Sequence, residues 1–220
     1  MEQSHKALLV GASGLIGGQL LELLLNDEYY SEVEIWLRKP TGISHPKLRE
    51  RIIDFSTITD IPSVEIDHLF CCIGTTIKKA GTQDAFRKVD FEYVVNLAQL
   101  AERSTCSKFI VISSIGADSK SSNFYLRVKG EMEETVRSTR IPGIIIIRPS
   151  LLLGKRREFR LGEKIFQFLM PSINHLLIGK LKKYRGIESL NVAKAMLSLA
   201  KNDTNGISVI ESDKINALAL

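Results

Sequence analysis

Gly11-Ala12-Ser13-Gly14-Leu15-Ile16-Gly17 follows directly on the apolar run Lys6–Val10 and opens a segment of helical period. No other stretch constrains the fold as much. Gly11 permits a tight strand-to-helix turn, Gly14 lets the backbone approach a diphosphate, and Gly17 lets helix and strand pack closely. The start of the helix adds amide donors and a partial positive charge, so Ser13, Leu15 and Ile16 are expected beside the same ligand. No Lys-Thr or Lys-Ser pair follows the glycines, which disfavours a nucleoside-triphosphate loop.

The rest of the chain repeats the alternation that begins there. Short runs rich in Val and Ile predict strands at Lys6–Val10, Val33–Leu37, Arg51–Ile53, His68–Cys72, Lys108–Ser113, Gly143–Arg148 and Ile207–Ile210. Helical periodicity predicts helices at Leu15–Asn26, Phe91–Arg103, Phe124–Ser138, Gly162–Leu169 and Val192–Ala200, the third ended by Pro142 and Gly143. This pattern is that of a doubly wound α/β fold: a mostly parallel Rossmann sheet of about seven strands, buried on both faces, with a short C-terminal lid. At 220 residues the chain is expected to form one NAD(P)-binding Rossmann domain over residues 1–220. Within it, residues 151–190 carry Lys155, Arg156, Arg157 and Arg160 and then an apolar stretch, and are expected to form a substrate or lid region.

The net charge of +5 suits an anionic partner without choosing one. The N-terminal apolar stretch is broken by glycine at once, unlike a signal peptide, and no apolar run is long enough to span a bilayer. A cytoplasmic location is the expectation. Cys71, Cys72 and Cys106 form neither a disulfide framework nor a zinc-type spacing, so no metal is expected. No aromatic-basic RNA motif or helix-turn-helix pattern is present, and no nucleic-acid partner is expected.

Arg38 lies 21 residues beyond Gly17, at the end of the second strand, and Lys39 follows it. NAD-selective folds place an acidic residue there to bind ribose hydroxyls, whereas a planar guanidinium suits the additional phosphate of NADP. NADP(H) is therefore expected in preference to NAD(H). Tyr125 and Lys129, four apart in the third predicted helix, share one face. Ser113 and Ser114 stand where the fifth strand ends, the edge at which ligands bind in this fold.

The glycine turn, Ser113-Ser114, Tyr125-Leu-Arg-Val-Lys129 and Arg148-Pro149-Ser150 occur in the order of the short-chain dehydrogenase/reductase superfamily, which the chain resembles over nearly its whole length. Phe70 to Thr76, Val89-Asp90-Phe91, Ser113 to Asp118 and Tyr125 to Glu131 resemble its atypical branch, that of the HIV Tat-interacting oxidoreductase-like tumour suppressor and small bacterial relatives. The resemblance implies an NADPH-dependent oxidoreductase acting on a small carbonyl substrate. Tyr125 would donate the proton, Lys129 would assist it from the cofactor ribose, and Ser114, or Ser113 with an error of one residue, would bind the substrate carbonyl. It further implies that Asp54 contacts adenine and that Cys72, Ile73 and Gly74 line the adenine ribose. Pro149 and Leu152 would meet the nicotinamide, and Arg160 would close over the phosphates. Two departures stand out: Cys72-Ile73-Gly74 replaces an Asn-rich segment, and Asp90 stands where extended members often have asparagine. The alternative is a catalytically weak NADP(H)-binding redox sensor or regulatory protein; a monomer or homodimer suits either.

Overall fold

The computed structural model describes residues 4–153, 183–203 and 205–219. The basic cluster, Arg160 and the expected helix Gly162–Leu169 lie outside the described residues. Seven parallel strands form the main sheet among the described residues: β1 (His5–Val10), β2 (Tyr30–Leu37), β3 (Leu48–Ile52), β4 (His68–Cys71), β5 (Lys108–Ile112), β6 (Gly143–Arg148) and β9 (Gly206–Glu211). Their spatial order is β3-β2-β1-β4-β5-β6-β9, so the winding reverses between β1 and β4. A second, two-stranded pairing joins β7 (Leu152–Leu153) to β8 (Ile187–Glu188). The helices are α1 (Leu15–Asn26), α2 (Ile77–Ala80), α3 (Gln83–Arg87), α4 (Tyr93–Glu102), α5 (Phe124–Arg137), α6 (Ser189–Lys201) and α7 (Ser212–Leu218). A π-turn over Lys88–Glu92 links α3 to α4.

In the central strands β4, β5 and β6 the residues are apolar almost without interruption, because both faces of the sheet are covered there. In β1, Ala7 and Leu9 pack toward α1 and α6, while Leu8 and Val10 pack toward α4 and α5. In β6, Ile145 and Ile147 take the first face and Ile144 and Ile146 the second. Each such Val, Leu or Ile side chain contributes about 1.5–3 kcal/mol through its removal from water. The expected bounds of α1 and β6 coincide with those observed. β2 and β3 begin three residues earlier than expected: β2 is extended by pairing of Tyr30 and Glu32 with β1, and β3 by pairing of Leu48 with Val33, through polar and charged residues that apolar patterning passes over. The helix expected from Phe91 starts at Tyr93, since the π-turn occupies the preceding positions.

The amino-terminal edge of the sheet buries an imidazole. His68 is buried, with Nδ1 2.6 Å from the Tyr30 hydroxyl, and stacks against Tyr29. Burial, then the Lys108 and His5 charges, push its pKa down to about 4. The unfolded chain therefore binds this proton near pH 6.5, where the folded chain does not. Stability is full above that pH and is expected to fall by about 3 kcal/mol as pH drops toward 4. Urea unfolding at stepped pH checks this, with His68→Asn expected to flatten that part of the slope; an unchanged slope would contradict it.

Candidate functional site

The glycine turn and the end of β4 touch backbone to backbone. Gly11 has φ +98°, and a Cβ there would lie 2.6 Å from the Cys72 carbonyl. A Cβ on Gly17 would lie 2.2 Å from the Gly11 oxygen. Both positions therefore exclude side chains, one through conformation and close approach, the other through contact alone. Gly14 is the N-cap of α1, with no side-chain cap and no acidic residue in the first turn. The start of α1, at the reversal between β1 and β4, is thus left without a side-chain cap or a competing carboxylate, as a site for an anionic group requires. Ser13 is exposed at this turn, Leu15 is half-buried, and Ile16 packs into the core.

Arg38 and Lys39 are exposed immediately after β2. Asp54 is exposed after β3, where its Oδ1 accepts from the Ser56 amide at 2.9 Å and caps a 3-10 turn over Phe55–Asp60. That amide holds its carboxyl below the usual carboxylate range. Cys72 and Ile73 are half-buried and Gly74 is exposed at the end of β4. Burial raises the Cys71 thiol to about 12 and carries Cys72 well above its ordinary value, so neither is a thiolate at neutral pH. Pro149 is buried and its carbonyl accepts from the Ile115 amide at 3.0 Å, joining the loops after β5 and β6. Leu152 lies in β7, paired with Ile187.

Ser113 and Ser114 differ sharply. The buried Ser113 hydroxyl donates to Glu133 at 2.6 Å, whereas the half-buried Ser114 hydroxyl makes, among the described residues, a 3.3 Å contact with the Ile115 carbonyl. Glu133 also accepts from Arg148 at 2.7 and 2.8 Å and from Arg137 at 3.1 Å. This buried cluster ties the ends of β5 and β6 to α5. Gly130 completes the arrangement, because a Cβ there would lie 2.1 Å from the Ser119 amide. The loop after β5 consequently rests directly on α5, the helix that carries Tyr125 and Lys129.

Tyr125 is half-buried, with its ring 5.6 Å from that of Phe86 on α3. Lys129 is buried, and its Nζ lies 2.7 Å from Asp90 Oδ1 and 3.4 Å from the Ile112 carbonyl. Burial pulls the ammonium down, but Asp90, together with Tyr125 and Cys71, more than offsets that and leaves its affinity for the proton above the ordinary value. Glu133, Gly130 and Phe86 were absent from the expected site. Glu133 and Phe86 belong to no sequence motif, since they act through contacts distant along the chain, and Gly130 lies in the Tyr125–Glu131 stretch with no site role read from it. Asp90 was visible only as a departure from asparagine.

The NAD(P)H-binding family model matches residues 11–203. Protein HTATIP2 of Rattus norvegicus is 36% identical over 166 residues, covering 73% of this chain and 68% of that protein. Protein FMP52-1, mitochondrial, of Scheffersomyces stipitis is 29% identical over 184 residues, covering 82% and 77%. Among solved structures, MoeE5 in complex with UDP-glucose and NAD has a TM-score of 0.69 at 14% identity, covering 97% of this chain and 80% of that one. The human epimerase family protein SDR39U1 with NADPH has a TM-score of 0.65 at 15% identity, covering 94% and 74%. These two structures establish the fold.

One expectation is corrected by the relatives. FMP52 proteins of several fungi are named mitochondrial, which overturns the expectation of a cytoplasmic location. That expectation rested on the lack of an apolar signal core, a criterion blind to amphipathic targeting segments. Among the described residues, no helix is long and apolar enough to cross a membrane. The fold, the glycine crevice and the sequence matches agree: the chain belongs to the NAD(P)H-binding Rossmann family, in the branch that contains HTATIP2 and FMP52.

Proposed function

We propose that the protein is an NADPH-dependent oxidoreductase that reduces a small carbonyl substrate. The observation that carries this reading is the meeting of three elements at one sheet edge: the side-chain-free glycine turn, the loop with the half-buried Ser114, and the face of α5 with Tyr125 and Lys129. The chain fits the cofactor, because the crevice has the open amides and missing side chains that a diphosphate needs. When bound, the cofactor supplies the hydride.

The residues divide the remaining work. The α1 amides and Gly14 hold the diphosphate, while Arg38 and Lys39 hold the additional phosphate. Asp54, already a backbone cap, borders the adenine, and Cys72, Ile73 and Gly74 line its ribose. Pro149 and Leu152 bound the nicotinamide side. Ser114 rather than Ser113 orients the carbonyl, since the Ser113 hydroxyl is committed to Glu133. Tyr125 hands its proton to the developing alkoxide, and Lys129 keeps positive charge beside that transfer.

Cofactor choice offers a direct test. Arg38→Asp is expected to weaken NADPH by about 10- to 100-fold, the loss of a charged hydrogen-bonding pair, with NADH little changed. Competitive calorimetry with both coenzymes measures this, together with a screen of aldehydes and ketones for NADPH consumption. Equal losses for the two coenzymes would refute the role of Arg38, and coenzyme binding without turnover of any carbonyl would refute the reductase.

A further inference from the structure

We propose that Asp90 is a positioning residue that fixes the Lys129 side chain and the loop after β4 in one arrangement beside the crevice. The inference rests on the reading of Lys129 as a cofactor-binding residue. Asp90 sits on the π-turn before α4, and such one-turn widenings recur at functional sites. Its side chain is 1% exposed and that of Lys129 is 4% exposed. One carboxylate oxygen takes the ammonium at 2.7 Å, and the other accepts from the Thr75 amide at 2.8 Å. Gly74 is packed against it, since a Cβ there would lie 3.5 Å from Oδ1. Three segments distant in sequence therefore meet on one carboxylate: the loop after β4, the π-turn and α5.

The chemistry of that arrangement is specific. Asparagine at this position would keep the Thr75 bond but leave a buried ammonium with no counter-charge. A lysine so enclosed sheds its proton unless a partner compensates its lost hydration. The other ionisable groups facing Lys129 are Tyr125 on its own helix and Cys71 from β4, whose thiol burial keeps protonated. Asp90 is the group that keeps Lys129 an ammonium, and it does so while holding the strand-end loop that borders the same crevice. A buried ion pair adds little net stability over an apolar pair, so its value here lies in arrangement.

The test is an NMR titration of lysine 13Cε signals in cofactor-free wild type and Asp90→Asn, with the Lys129 signal assigned by its loss in Lys129→Met. Asp90→Asn is expected to lower the Lys129 midpoint by about two pH units, a roughly 100-fold weaker hold on the proton. Coincident midpoints would overturn the proposal. NADPH affinity measured alongside is expected to stay level from pH 6 to 9 in wild type and to weaken with rising pH in Asp90→Asn; a uniform loss at every pH would mean a merely structural role. If wild type binds no NADPH, the reading of Lys129 fails, while the lysine titration still decides the dependence on Asp90. Should Asp90→Asn not fold, adding Lys129→Met removes the unpaired charge and is expected to restore folding. A double variant no more stable than Asp90→Asn would count against the proposal.

Discussion

Tyr125→Phe is expected to cut NADPH-dependent carbonyl reduction by about 10²- to 10⁴-fold, the range for loss of a positioned proton donor. NADPH affinity should change by no more than a few fold. The two effects separate because the phenyl ring keeps its place: it still packs beside Phe86, which is fully buried and also contacts Phe124. Only the hydroxyl is lost, the group that the proposed function makes the proton donor. Single-turnover oxidation of NADPH at saturating substrate reads the chemical step, and fluorescence titration reads binding. Undiminished turnover, or affinity falling in parallel with rate, would contradict the role.

Glu133→Ala is expected to destabilise the fold by about 3 kcal/mol, at the lower end of the cost of breaking a buried ion pair. Glu133 is 2% exposed and receives hydrogen bonds from Ser113, Arg137 and both forks of Arg148. Its removal strands two guanidinium groups and one hydroxyl. The loss stays at the lower end because the arginines reach water, with side chains 21% and 37% exposed. For a chain of this size the melting temperature should drop by about 6–12 °C. Glu133→Gln retains the shape and part of the bonding and should fall between. A change below about 0.5 kcal/mol for Glu133→Ala would mean the cluster is an incidental surface network.

The two variants also mark what a sequence can and cannot disclose. Helix α1 and strand β6 were legible to the residue, because glycine punctuation and an unbroken Ile run carry their own boundaries. The glycine turn was legible because two of its requirements are local: the positive φ of Gly11 and the approach of Gly17 to the Gly11 oxygen fall within seven residues, while the contact of Gly11 with Cys72 does not. The short helices α2 and α3 were not, since Lys78, Lys79 and Gln83 are exposed and give too brief a period to register. The resemblance favours Ser114 over Ser113 by a single position, and the feature that separates their hydroxyls in the fold, Glu133, stands twenty positions from Ser113. Asp90 and Lys129 likewise meet only through the fold, so a departure from asparagine gave no sign of the ion pair it makes.

The central claim is that the start of α1 holds the diphosphate of a nicotinamide coenzyme. Calorimetric titration of NADPH into wild type and Gly17→Val, side by side, tests it most directly, because a side chain at Gly17 collides with the Gly11 oxygen and must force the turn open. Saturable binding at one site per chain in wild type, lost in a folded Gly17→Val, is the expected result. No heat with wild type, or equal affinity in both proteins, would contradict the account.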